Sequence, residues 1–320
     1  MKKLLLLIIL ANLILVGYSQ TTEAEKNLKI QSKDSLEGWK KGGTVSLNLT
    51  QVSLTNWSAG GQNSISGNGL VSLFAHYKKG VNSWENYLDL AYGTLKQGKN
   101  DNWWKTDDKI NFTSKYGRKA FSNWYYAGLL NFNTQMTDGF NYPNDSTVIS
   151  GLMAPGYVLG AVGLDYKPID NFTVFISPFT SKFTIVTNQT LADAGAFGVE
   201  QAVIDPSTGN IIKAGLNTRS EIGGYIRIYY KKDVTKNIGI QTKVDLFANY
   251  QNNPQNIDVS WEVLVSMKVN KYISATISTH LLYDDDIDIA VDNNDDGIVD
   301  KFGPRTQFKE VIGVGLSYKF

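Results

Sequence analysis

A chain of 320 residues with 12% aromatic and only 19% charged residues is too aromatic and too poor in charge to be disordered, and is long enough for a sizeable core or one large barrel. It contains no cysteine, which excludes disulfides, a thiolate metal site, a cysteine nucleophile and a lipoprotein anchor on a leading cysteine. The formal net charge of +1 gives no electrostatic support to a nucleic-acid partner.

The N-terminus has the pattern of an export signal. Lys2 and Lys3 precede an apolar run from Leu4 to Val16, broken only by Asn12, and Gly17 and Ser19 stand at the −3 and −1 positions of a cut before Gln20. This predicts a secretory signal peptide over residues 1–19; the run is shorter than the roughly 20 residues of a membrane-spanning helix. Cleavage removes two of 31 basic residues and none of 30 acidic ones, leaving a net charge of −1. Residues 20–42 are polar and mixed in charge, and are expected to be a periplasmic lead-in to a barrel domain over 43–320.

From Thr44 the dominant period is two. Ile238, Ile240, Val244, Leu246, Ala248 and Tyr250 alternate with Gly239, Gln241, Lys243, Asp245, Phe247 and Asn249. Ile257, Val259, Trp261, Val263, Val265, Met267 and Val269 alternate in the same way with Asp258, Ser260, Glu262, Ser266, Lys268 and Asn270. Such runs exceed the usual strand of about 5–6 residues and reach the roughly 9–11 that cross a bilayer at a tilt. Twelve segments of this kind are predicted, near 43–54, 64–78, 82–97, 105–118, 121–137, 156–168, 171–187, 216–231, 236–250, 256–270, 272–284 and 305–320. The connections alternate between short turns near 78–81, 117–121, 168–171, 231–236 and 270–272 and connections at 55–63, 98–104, 138–155, 188–215, 251–255 and 285–304, several of them long. An all-β, antiparallel transmembrane barrel of about 12 strands, with short periplasmic turns and long extracellular loops, has this asymmetry. In hydrocarbon every backbone polar group must be paired inside the protein, and a sheet achieves that only by closing.

A barrel in lipid points its apolar residues outward and its polar residues inward. The expected lumen-lining residues are Glu85, Asp89, Lys109, Lys115, Asp165, Arg227, Lys243, Asp245, Glu262 and Lys268, of both signs in similar number, which favours internal ion pairs over a one-sign selectivity ring. Trp84, Tyr92, Trp103, Trp104, Trp124, Tyr125, Tyr142, Tyr157, Tyr250, Tyr283 and Tyr318 lie near segment ends and are assigned to interfacial girdles.

Two constellations suggest chemistry. Asp292-Asn293-Asn294-Asp295-Asp296-Gly297-Ile298-Val299-Asp300 fits the opening of a calcium loop, with Asp292, Asn294, Asp296, the Ile298 carbonyl and Asp300 as the oxygen ligands of a Ca2+ ion; position twelve is Gly303 rather than Glu. The other reading is a solvated acidic loop, since residues 284–300 hold eight Asp and no Lys or Arg. His280 shares a face with Ser274, Thr276 and Ser278. Twelve-stranded outer-membrane phospholipases carry a His–Ser pair facing lipid, whereas Ser278 and His280 here are assigned to the lumen, so no enzyme is predicted. His76, near a periplasmic strand end, forms no triad by itself.

The C-terminal strand Ile312–Phe320 alternates to a terminal aromatic and resembles the signal that the outer-membrane insertion machinery reads, which makes that machinery an expected partner through Phe320. Gly38-Trp39-Lys40-Lys41-Gly42-Gly43, Gln51 to Gly61 with its Asn56-Trp57-Ser58-Ala59-Gly60-Gly61 stretch, Tyr283-Asp284-Asp285-Asp286 and Gly303 to Glu310 resemble a Bacteroidota family of outer-membrane barrels of unknown function. The resemblance implies location and fold and brings no catalytic residues. Asp34-Ser35-Leu36 resembles an O-glycosylation acceptor of the same phylum.

The expected role is a narrow passive channel for small solutes that requires no cofactor, with outer-membrane lipid and lipopolysaccharide as its surroundings. The alternative is a closed structural or partner-binding barrel, a subunit of a larger outer-membrane assembly, with the Trp57–Gly61 loop as its contact.

Overall fold

The computed structural model describes residues 37–54, 62–98, 102–169, 171–270, 273–291 and 300–319. Twelve long strands close into an antiparallel barrel: β1 (Gly38–Val52), β2 (Ser64–Lys79), β3 (Asn82–Gln97), β4 (Trp104–Phe121), β5 (Trp124–Thr134), β8 (Gly156–Ile169), β9 (Phe172–Ile185), β12 (Thr218–Asp233), β13 (Ile238–Asn249), β14 (Ile257–Lys268), β15 (Ile273–Tyr283) and β18 (Gln307–Lys319). Each pairs with its neighbour in sequence, and β1 closes the ring on β18 with Val45 opposite Tyr318. The short connections that follow β2, β4, β8, β12 and β14 lie at one end. The connections at the other end carry three two-stranded ribbons: β6 (Gly139–Phe140) with β7 (Val148–Ser150), β10 (Val203–Ile204) with β11 (Ile211–Lys213), and β16 (Asp288–Val291) with β17 (Lys301–Pro304).

Several boundaries differ from the sequence expectation. Gly38 to Gly42, assigned to the lead-in, belong to β1 and pair with Lys78 to Phe74 of β2. β4 runs through Gly117 and Arg118 to Phe121, and the chain reverses at Ser122, which takes a positive φ of 43°. β5 stops at Thr134, because Asp108 accepts hydrogen bonds from the Met136 and Thr137 amides (2.7 and 2.9 Å) and pulls the chain out of the ladder. The 188–215 connection also holds a five-residue helix, α1 (Gln189–Asp193), capped by the Asn188 side chain, which accepts from the Leu191 amide. Leu191 and Ala192 bury against Ala154, Val186 and Val199, so two long loops share a small apolar core at that end of the barrel.

The two faces of the wall are opposite in character. Outward residues are large, apolar and exposed, with Leu49 71%, Phe179 70% and Val314 64% accessible. Inward residues are polar and buried, among them Ser72, Asp89, Asp165, Gln241 and Ser266. A water-soluble barrel has the reverse arrangement; an apolar exterior over a polar interior is what hydrocarbon solvent selects. Trp84 and Tyr92 mark the ends of the apolar stretch on β3. Eight residues at about 3.4 Å each, tilted about 40°, span about 21 Å, close to the roughly 25 Å apolar band of outer-membrane barrels.

Trp84, Tyr92, Trp103 and Tyr250 face outward in exposed positions. Tyr125, Tyr157 and Tyr283 do not belong to a girdle. Register puts Tyr125 inward opposite Asp165, with the Lys167 ammonium 5.2 Å from its ring centre, and Tyr157 and Tyr283 line the lumen. Trp124 packs at a tilt against Tyr166 at the short-turn end (4.7 Å), and Trp104 stacks on Tyr142 at the long-loop end (5.4 Å). The side chain of Tyr318 is outside the described residues.

Candidate functional site

The candidate site is the lumen. A cavity of about 590 Å3 runs from Asp284, Ile287 and Gln307 at the long-loop end to Glu85 and Lys115 near the short turns. Eight of the ten expected lumen residues line it: Glu85, Asp89, Lys109, Lys115, Arg227, Lys243, Asp245 and Glu262. Asp165 has the inward register but is 1% exposed, in contact with Lys115 and Lys167. Lys268 shares the inward register of Glu262, but β14 ends there, so its side chain is exposed at the short-turn end outside the cavity lining.

The charges form three levels. Nearest the short turns, Asp165 accepts from Lys115 (2.8 Å) and pairs with Lys167 (3.3 Å), while Glu85 pairs with Lys167 (3.3 Å) and Lys115 (3.6 Å). Midway, the Arg227 guanidinium grips Asp245 through two nitrogens (2.6 and 3.0 Å), and the Tyr225 hydroxyl donates to the same carboxylate (2.8 Å). Lys243 donates to Glu262 (2.7 Å) in the same layer. At the long-loop end Lys182 reaches Asp258 (3.0 Å), Asp284 (3.3 Å) and Glu221 (3.6 Å). Arg219 binds Glu221 (3.1 Å), Asp286 and the Gly198 carbonyl (3.2 Å), tying the 186–217 loop to the chain beyond β15.

These contacts are not all between neighbours. Lys182 and Asp258 stand on strands three places apart in the ring of twelve, and Lys309 of β18 approaches Asp107 of β4 (3.7 Å) from four places away. Ion pairs therefore cross the lumen as well as lining it. Aromatic rings fill one arc between them: Phe175 of β9, Tyr225 of β12 and Phe247 of β13 are almost fully buried, with the Lys182 ammonium 5.2 Å from the centre of Phe247.

Lys167, Lys182, Arg219, Glu221, Asp258, Asp284 and Asp286 were not among the expected lumen residues. A β-bulge accounts for Lys182. Between Val162 and Leu164 of β8, β9 spends three residues, Phe179 back to Ile176, against two, and β12 sees the same extra residue. The inward set of β9 thus changes from Thr173, Phe175 and Ser177 to Thr180, Lys182 and Thr184. Strict alternation extended from Phe175 puts Lys182 on the lipid side. Pro178 within a strand was the available signal, because proline in a sheet is confined to edges, strand starts and bulges.

His280 lines the cavity, and its Nε2 lies 3.0 Å from the hydroxyl of Ser260 on β14. Ser278 contributes only its backbone register to the described structure, opposite Leu264 and Val311. His76 is buried on the inner wall between Phe74 and Tyr87, both 5.0 Å from its ring. Of the expected calcium ligands, Asp292, Asn294, Asp296 and Ile298 lie outside the described residues, as do the signal peptide, Asp34 to Leu36, the Trp57–Gly61 loop and Phe320; Asp300 follows directly on the undescribed stretch. Among the described residues no group of acidic, histidine or cysteine side chains is placed to hold a metal ion.

The model of a family described as a protein of unknown function (DUF3078) matches residues 49–140, from the end of β1 to β6. No curated protein matches the chain. Among solved structures the chain is similar to the NanC porin at 11% identity, over 86% of this chain and 98% of that one, with a TM-score of 0.36. It is similar to an outer-membrane channel from Pseudomonas putida F1 at 10% identity, over 91% and 100%, with a TM-score of 0.40. It is also similar to the translocator domain of the autotransporter NalP from Neisseria meningitidis at 9% identity, over 93% and 92%, with a TM-score of 0.34.

Proposed function

We propose that the protein is a non-enzymatic β-barrel of a Gram-negative outer membrane, exported by a cleaved signal peptide, whose lumen is a narrow channel for small polar solutes. The observation that carries this reading is the continuous cavity, with charged side chains set among apolar ones along its walls, from the long-loop end down to Glu85 and Lys115. Lipid and lipopolysaccharide surround the barrel, and its last strand engages the insertion machinery. No cofactor takes part, and a calcium ion on the 292–300 loop would be an accessory to the outer surface. The test is single-channel conductance of the refolded mature chain in a planar bilayer. Stable, reproducible steps are expected; a correctly folded but silent barrel overturns the channel.

One observation favours a closed, partner-binding barrel instead. Lys182 and Lys309 hold carboxylates across the lumen from strands three or four places away, and such struts narrow the passage where they cross it. In that case the silent barrel co-purifies with a stoichiometric partner from the membrane.

A further inference from the structure

We propose that the short-turn rim carries a binding site for an anionic phospholipid head group, built by Lys78, Lys79, Arg118 and Lys119. The proposal rests on the membrane-barrel reading above and is independent of whether the lumen conducts. These four cations stand on two adjacent hairpins. Asn82 of β3 lies opposite Arg118 of β4, and the Lys119 amide donates to the Val81 carbonyl (2.8 Å), so the turns at 80–81 and 122–123 are side by side. All four side chains are exposed, and among the described residues none is ion-paired; Lys79 and Arg118 have outward register beside Asn82, and Lys78 and Lys119, opposite Ser83 and Tyr125, stand on the inner side of the same rim. Among the described residues Glu37, just before β1, brings a carboxylate to these turns, where it accepts from the Gly80 amide (2.8 Å).

Directly toward the apolar belt lies an aromatic platform. Trp39 packs on Tyr77 (5.2 Å) and Trp84 (5.7 Å), and Trp39, Trp84, Tyr116 and Phe121 are all exposed on the outer wall. Their polar ends are tied down: Trp84 donates its indole N–H to Ser114 (2.8 Å) and Tyr116 its hydroxyl to Asn82 (2.9 Å). Tryptophan and tyrosine settle at head-group depth, so cations a step nearer the turn stand at the level of the phosphates. Ammonium and guanidinium groups are the donors that suit a phosphodiester. A soluble polyanion would satisfy the charges and leave four exposed rings without a partner; a phospholipid uses both. The β12–β13 turn lacks this pairing of features, since Lys232 and Lys236 share it with Asp233.

The test inserts the full chain into vesicles of phosphatidylcholine alone or mixed with phosphatidylglycerol, extracts it gently, and counts retained lipids by native mass spectrometry. Enrichment of phosphatidylglycerol by about tenfold over its share of the vesicle is expected, since several basic groups each contribute severalfold near an anionic surface, and molar salt should abolish it. Serine at all four positions should reduce the enrichment to about twofold, and Lys78→Ser with Lys79→Ser should give an intermediate value if the quadruple variant does not fold. Lys232→Ser with Lys236→Ser should leave it intact. A barrel that inserts yet retains the two lipids in proportion overturns the site, as does a far-turn variant that loses as much as the quadruple one. A chain that inserts into neither vesicle overturns the membrane reading itself.

Discussion

Replacing Asp165 with asparagine tests whether the lower lumen is dry enough for its charges to matter. Asp165 and Glu85 offset Lys115 and Lys167, so the tetrad is neutral as built, and the four side chains are between 1% and 17% exposed. The substitution keeps the shape but leaves two ammonium groups sharing one carboxylate, a net +1 in a wall that water barely reaches. Removing one partner from a buried charge network costs about 3–5 kcal/mol, whereas a solvated pair is worth about 0–1 kcal/mol. At about 1.4 kcal/mol per decade, the buried case lowers the folding constant by about two to three and a half decades. The assay is urea-dependent folding into lipid vesicles, followed by tryptophan fluorescence and by the heat-sensitive shift of the folded barrel on gels. Adding Lys115→Met to the asparagine variant restores neutrality and should recover most of the loss, a coupling that a double-mutant cycle measures. A cost below about 1 kcal/mol for the single variant, or a double variant no better than it, refutes the argument and means that water screens the tetrad.

Val162→Arg places a charge on the outer wall at an exposed apolar position and should cost about 2–4 kcal/mol for folding into a bilayer, falling as the same change is moved toward either girdle. Depth-independent folding energies across such a series would contradict the lipid-facing assignment. Gly163→Ala should fold poorly or refold with a shifted β8–β9 register, because its Cβ would lie 2.0 Å from the Ile176 carbonyl oxygen at the bulge; an unchanged urea midpoint would show that the bulge yields freely. Arg219→Gln cuts the contact between the 186–217 loop and the chain beyond β15, and should speed protease nicking within 199–217 while leaving the barrel folded. Equal nicking rates would assign the loop's order to the Ala154–Val199 apolar core alone.

Sequence and structure agree where a single physical rule decides the outcome. Lipid on one side and a polar lumen on the other enforce period two, so all twelve strands are visible in the alternation, and most of the inward charges follow from parity. The rule fails where something local breaks the count. The extra residue at Ser177–Phe179 inverts parity and hides Lys182, the hub of the upper network. Asp258 and Glu221 have inward parity, but only the folded ring reveals that one ammonium reaches both, because strands three places apart in the barrel have no fixed relation in sequence. The approach of His280 to Ser260 depends on the register of the β14–β15 hairpin, which alternation alone does not set. Girdle tyrosines were over-assigned because an aromatic near a strand end satisfies either face, and register alone sent Tyr125, Tyr157 and Tyr283 inward.

The levels of lumen charge also predict ion preference. Glu85 and Asp165 balance Lys115 and Lys167, and Asp245 and Glu262 balance Arg227 and Lys243, so the lower and middle lumen present dipoles without net charge. Among the described residues, the network at the long-loop end sets Glu221, Asp258, Asp284 and Asp286 against Lys182 and Arg219, a formal −2 within that network. In a conducting barrel this excess enriches cations at the entrance, and its reach is set by screening, about 10 Å at 0.1 M salt and about 3 Å at 1 M. A reversal potential under a potassium chloride gradient should therefore show a cation preference of about twofold to fivefold at 0.1 M that fades at 1 M. Lys182→Met makes the entrance more negative and removes a side chain that crosses it, so both cation preference and conductance should rise. Asp258→Asn with Asp284→Asn neutralises the excess and should abolish the preference while Arg219 still holds the loop. A preference for anions, or one indifferent to these substitutions, would mean that the ions pass by a route the upper network does not guard.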